Sequence, residues 1–126
     1  MKEEEINQLA DTIRESAFAA HKYFKHGFLE KVYENSLRNR LRKMGLNVEQ
    51  QVAIPVLDED GSVVGDYVAD LIVEGSILIE LKAVKTISDE HIAQVLAYLR
   101  GTEMDHGLLI NFGASKLQIR KFIHQS

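Results

Sequence analysis

Two consecutive apolar runs in the middle of this chain carry charges where a buried β-strand does not tolerate them. Asp70 interrupts Tyr67-Val68-Ala69-Asp70-Leu71-Ile72-Val73, and Glu80 and Lys82 interrupt Ile77-Leu78-Ile79-Glu80-Leu81-Lys82-Ala83-Val84. Burying a charge is costly unless it is paired or bound to a cation. On a strand, Glu80 and Lys82 project from the same face, roughly 6–7 Å apart. Between the runs lies Glu74-Gly75-Ser76. If this is a three-residue loop, Val73 pairs with Ile77 and Asp70 falls opposite Glu80, with Cβ atoms about 5 Å apart. A two-residue loop would put Asp70 opposite Ile79, on the wrong face. Gly75 can supply the positive φ such a loop needs.

Two carboxylates at that distance repel, so one takes up a proton or a cation sits between them. Oxygen-only ligands suit Mg²⁺ or Mn²⁺ rather than zinc. A metal held there could activate a water and bind a phosphate oxygen. Lys82 would then stabilise developing charge or orient the attacking water. The structural alternative is a partly buried Lys82–Asp70 or Lys82–Glu80 salt bridge.

Around this pair, the hydrophobic period defines the remaining elements. Ile6, Leu9, Ile13, Ala17 and Ala20 recur at spacings of three and four, and so do Leu29, Val32, Tyr33, Leu37 and Leu41. These predict two helices separated at His26-Gly27, the second ending near Gly45. Beyond Gly45 the period becomes two: Val48, Gln50, Val52, Ile54 and Val56 alternate with Glu49, Gln51 and Ala53. Asp58-Glu59-Asp60-Gly61 is a turn, Val63 to Val73 the next strand and Ile77 to Val84 a third, so three strands form an antiparallel meander. Ser88-Asp89-Glu90 starts a helix that carries Ile92, Val95, Leu96 and Leu99 and stops at Gly101. Gly107 to Phe112 reads as a buried strand and Leu117 to Ile123 as an edge strand. The order α-α-β-β-β-α-β-β implies an α/β (α+β) mixed sheet flanked by helices, as one domain over residues 1–126.

Hydrophobic residues make up 45% and charged residues 27%, as in ordinary folded proteins. With no cysteine, a disulfide, a thiolate metal site and a cysteine nucleophile are excluded. No signal-peptide core or run of about 20 apolar residues is present, so the expectation is a cytoplasmic protein without a membrane partner. The net charge of −4 counts against a strong non-specific grip on nucleic acid. Arg38, Arg40, Arg42 and Lys43, and Lys116, Arg120 and Lys121, form local basic groups that could make a local basic surface, although Arg38, Arg40 and Arg42 more often line a solvated helix face than a nucleic-acid track. His21, His26 and His124 lack ligand spacing, and there is neither a glycine-rich phosphate loop nor a Ser/His/Asp grouping.

The segment Gly27-Phe28-Leu29-Glu30-Lys31-Val32-Tyr33 resembles the signature of the GxxExxY proteins, a branch of the PD-(D/E)XK nuclease superfamily. The resemblance continues in order through Tyr67-Val68-Ala69-Asp70, Ile79-Glu80-Leu81-Lys82-Ala83-Val84, Gln94-Val95-Leu96-Ala97-Tyr98-Leu99 and Gly107-Leu108-Leu109-Ile110-Asn111-Phe112-Gly113, from about Ile6 to Ile123. It implies a restriction-endonuclease-like α-β-β-β-α-β core, here with an extra N-terminal helix and a C-terminal edge strand. It also implies Asp70 and Glu80 as ligands of Mg²⁺ or Mn²⁺, Lys82 as the catalytic lysine, Glu30 as an additional acidic ligand and Gln94 as a supporting site residue. Ala69 stands where the superfamily often has proline. The implied function is metal-dependent hydrolysis of phosphodiester bonds in DNA or RNA, and superfamily analogy allows a homodimer. The alternative is a non-catalytic nucleic-acid-binding or protein-interaction module on the same fold. Spacing agrees with the resemblance: Glu30 and Tyr33 share a helix face, as do His91, Gln94 and Tyr98. Tyr98 reads as packing and His91 as a helix-start residue.

Overall fold

Where the hydrophobic period changes, the backbone changes with it. The computed structural model describes residues 1–124. Helices α1 (Glu3–Phe24) and α2 (Glu30–Lys43) precede strands β1 (Val48–Leu57), β2 (Val63–Val73) and β3 (Ile77–Lys82). Helix α3 (Asp89–Thr102) and strands β4 (His106–Asn111) and β5 (Gln118–Ile123) follow, so the expected order is observed. Ser88 caps α3, its side chain accepting from the His91 N–H while the His91 ring accepts from the Ser88 N–H. His91 is thus part of a capping box, with the imidazole in the place usually held by Glu or Gln.

The sheet has the order β1-β2-β3-β4-β5. β1, β2 and β3 form the antiparallel meander, β3 and β4 run parallel, and β5 returns antiparallel as an edge strand. Parallel neighbours need a crossover, and α3 supplies it. One apolar cluster joins α1 and α2 to the sheet through Ile13, Tyr33, Leu37, Leu71, Ile79 and Phe112. A second joins α3 to the opposite face through Tyr67, Ala69, Leu78, Val95, Leu99 and Leu109.

Side-chain alternation in β1 and β2 is not continuous, contrary to the simple period of two expected for Val48 to Val56. Val48 packs with α1 and α2, whereas Val52, Ile54 and Val56 pack with α3. On β2, Tyr67 and Ala69 face α3, while Leu71 and Val73 face the other helices. Both strands therefore change faces between these residues. The pairs Gln50↔Leu71 and Val52↔Ala69 flank Gln51 and Asp70, which stand outside the ladder. Gln51 has φ +52, a left-handed conformation that non-glycine residues rarely adopt.

The hairpin between β2 and β3 has the three-residue loop, with Val73 paired to Ile77. Both Glu74 and Gly75 are left-handed, at φ +52 and +61. Glu74 is held there by Asn47, whose carbonyl accepts the Glu74 N–H at 2.8 Å and whose N–H donates to the Glu74 carboxylate at 2.9 Å.

Strand β3 ends at Lys82, short of the expected Val84, because a side chain captures the backbone beyond it. The buried Asn111 accepts the Val84 N–H at 2.9 Å and donates to the Val84 carbonyl at 2.8 Å. Gly113 lies against the same segment. A Cβ there would sit 2.3 Å from Val84 N and 2.4 Å from Ala83 C, and backbone cannot yield as a flexible side chain can. Gly113→Ala is expected to destabilise the protein by at least about 2 kcal/mol, a fall of about 6 °C or more in thermal midpoint. Circular-dichroism melting measures this; a midpoint equal to that of the parent would show that the Ala83–Val84 segment shifts freely.

Candidate active site

Asp70 and Glu80 come together where β2 and β3 part. The register of the hairpin brings Asp70 level with Glu80, but the paired ladder stops at Leu71↔Ile79. Beyond it the Asp70 side chain replaces a backbone acceptor, taking the Leu81 N–H on Oδ2 at 2.9 Å. The two carboxylic side chains are 9% and 8% exposed, and they are near enough to share a proton. Burial and then the neighbouring Asp70 charge push the Glu80 carboxyl up to about 8. The Tyr67 hydroxyl donates to Glu80 Oε2, and burial together with the Glu80 charge holds that phenol well above its usual range. The Tyr98 ring stacks on Tyr67, with centroids 3.6 Å apart. Tyr98 is therefore packing, as expected.

Lys82 is two residues beyond Glu80 on β3 and half-buried. Its charge lowers the pKa of both Glu80 and Glu30. Among the described residues, the side chains within ion-pair distance are Arg14–Asp11 and Lys31–Glu34. The direct Lys82 salt bridges weighed as the structural alternative are therefore not formed. Glu30 opens α2 and is solvent-accessible. Crowding by protein, followed by the Asp70 charge, raises its pKa. Gln94 is exposed on α3, one turn before Tyr98. Among the described residues, its side chain makes no hydrogen bond, so Gln94 is not brought into contact with the carboxylates.

The geometry explains why glycine and tyrosine bracket Glu30. Gly27 has φ +121, which a side chain would strain. Tyr33 is buried and stacked on Phe112 at 4.8 Å. Its hydroxyl donates to the Lys25 carbonyl at 2.5 Å and accepts the Phe28 N–H at 3.3 Å. Together they fix the turn between α1 and α2 and hence the entry of α2 beside Asp70.

Sequence reasoning missed Glu34, Gln50 and Gln51. Glu34, 2% exposed, accepts from Lys31 at 2.9 Å, from Gln50 at 2.5 Å and from Gln51 at 3.1 Å on each oxygen. Burial pushes this carboxyl up, and the hydrogen bonds more than offset it, leaving the pKa below the usual range. Gln51 Nε2 also donates to Asp70 Oδ1 at 3.2 Å. The available signal was Glu34 one turn after Glu30, facing two adjacent glutamines on the next strand. A groove of about 770 Å³, lined by Ser16, Val32, Ser36 and Met44 among others, contains none of these site residues.

The donor chemistry fits a hard divalent cation. Two buried carboxylates lie together with no ion-pair partner among the described residues, so a cation would relieve their repulsion, and Glu30 feels the Asp70 charge. Among the described residues, no three His, Cys, Asp or Glu side chains converge as a closed cage. Magnesium usually takes one or two protein carboxylates and retains several waters, so a closed cage is not required.

The PD-(D/E)XK nuclease superfamily model matches residues 7–122. The chain belongs to the PD-(D/E)XK nuclease superfamily. A search of curated proteins finds no match. Among solved structures, the crystal structure of SSO0001 is similar, with a TM-score of 0.59 and 20% sequence identity over 76% of this chain and 50% of that one. The present chain thus spans about half the length of that protein, and the likeness shows the restriction-endonuclease-like fold alone.

The raised Glu80 pKa makes a prediction for the metal-free protein. Below about 4.5, the ordinary value, Glu80 is protonated whether folded or unfolded. Between that value and about 8 the unfolded chain loses the proton while the native state keeps it, so stability falls as pH rises through this window and then levels. In EDTA, the thermal midpoint is expected to fall more steeply between pH 5 and 9 in the parent than in Glu80→Gln. Parallel curves for the two proteins would contradict the environment assigned to Glu80.

Proposed function

We propose that the protein is a Mg²⁺- or Mn²⁺-dependent nuclease hydrolysing phosphodiester bonds of DNA or RNA, and that within its superfamily it is a GxxExxY protein. The observation carrying this reading is the buried Asp70–Glu80 pair at the strand fork, with Lys82 two residues from Glu80. Asp70 and Glu80 would hold the cation, with Glu30 as an additional acidic group. When bound, the ion supplies a Lewis acid and lowers the pKa of a coordinated water. Lys82 places positive charge where phosphate charge grows and helps orient the attacking water. Glu30, accessible and with a raised pKa, is suited to exchange a proton with solvent. Tyr67 restrains the Glu80 carboxyl, and Gln94 on α3 would be a supporting residue that contacts the substrate rather than the carboxylates.

The net charge of −4 favours a second reading, a module that binds metal or a partner without turnover. The two readings separate in a cleavage assay on single- and double-stranded DNA and RNA, with Mn²⁺ or with EDTA. The nuclease reading expects cleavage with Mn²⁺ only, a loss of about 100-fold or more in Lys82→Ala and a comparable loss in Asp70→Asn. Cleavage that persists unchanged in Lys82→Ala sinks its assigned role, and tight Mn²⁺ binding without cleavage of any substrate favours the second reading. In the same proteins, Mn²⁺ at 100 times its dissociation constant should stabilise the parent by about 2.7 kcal/mol. That shift in melting should vanish in Asp70→Asn.

A further inference from the structure

We infer that Gln51 is a positioning residue for Asp70, held in a left-handed backbone conformation so that its amide bridges Asp70 to the buried carboxylate of Glu34. The inference rests on the reading of Asp70 as a cation ligand and deepens it.

Three observations meet at this residue. Gln51 is one of the few non-glycine residues with positive φ, and it stands inside a strand rather than in a turn or helix cap. It lies at the point where β1 and β2 both reverse faces, across from Asp70. Its Nε2 donates to Glu34 at 3.1 Å and to Asp70 at 3.2 Å.

A twist in the backbone alone would be better served by glycine or asparagine, which enter the left-handed region readily. A glutamine there signals that the side chain is needed. A strained backbone at such a position is a hypothesis of function when the surroundings over-determine it. A primary amide nitrogen has two hydrogens. With carboxylates on both sides, those hydrogens are directed to Glu34 and to Asp70, which decides the amide's orientation. Glu34 is itself fixed by Lys31 and Gln50, so the brace reaches from α2 through β1 to Asp70. With Gln51 on Oδ1 and the Leu81 N–H on Oδ2, both Asp70 oxygens are oriented, and each retains a lone pair for a cation. Partners that orient a metal ligand commonly change affinity by 10- to 100-fold when removed.

The test uses Gln51→Gly and Gln51→Asn, which tolerate the left-handed backbone while removing or shortening the amide. Two quantities are measured: the thermal midpoint in EDTA, and the Mn²⁺ dissociation constant by calorimetry. The expected result is a midpoint within about 3 °C of the parent and about tenfold weaker Mn²⁺ binding in both variants. An affinity within twofold of the parent overturns the inference. So does a collapse of the metal-free midpoint in both variants, which would assign Gln51 to folding instead. Asp70→Asn is the control: if it weakens Mn²⁺ binding and the Gln51 variants do not, the proposed metal site stands and only the role of Gln51 falls. Absence of Mn²⁺ binding by the parent, or undiminished binding in Asp70→Asn, removes both.

Discussion

Two carboxyl groups buried side by side at the fork between β2 and β3 set the terms for the rest of this molecule. Without a neutralising partner, Asp70 and Glu80 repel strongly at low dielectric, and burial first, then the Asp70 charge, pushes the Glu80 carboxyl up to about 8. Such a pair persists because the surroundings hold it from several directions. Tyr67 binds Glu80, the Leu81 N–H and Gln51 bind Asp70, and the apolar clusters on the two faces of the sheet fix the strands themselves.

The supports come from different parts of the chain. Tyr67 belongs to β2 and is backed by Tyr98 on α3. Gln51 belongs to β1 and is backed by Glu34 on α2. The end of β3 is shaped by Asn111, which takes the Val84 backbone out of the ladder just beyond Lys82. Tyr67, Gln51 and Asn111 therefore each satisfy a group that would otherwise be buried without a partner. This bracing orients the carboxylates on the protein side, while Glu30 and Gln94 are exposed.

Much of this was visible in the amino-acid order. Three charges inside two strand-like runs pointed to the candidate site, and the length of the Glu74-Gly75-Ser76 turn determined that Asp70 and Glu80 meet. These inferences work because a strand alternates strictly and a tight turn fixes register. The same rule failed in β1 and upper β2. Regular alternation there predicted one face for Val48 through Val56, and the structure divides them between two. The signal from Glu34 and the adjacent glutamines was weak for a related reason: a polar residue on an amphipathic helix is ordinarily solvated, and only the packing of α2 against β1 turns Glu34 inward.

The order of elements, the hairpin register and the placing of acidic and basic side chains on adjacent strands were determined by local rules that the sequence states outright: period, turn length and capping. Only the tertiary structure decided that β1 and β2 reverse faces at Gln51 and Asp70, that Glu34 is a buried anion, and that Lys82 stands apart from the carboxylates rather than bridging them. Those features depend on contacts between segments distant in the chain. There, the balance of desolvation, hydrogen bonding and backbone strain is settled by what each side chain finds across the interface, and no local pattern encodes it.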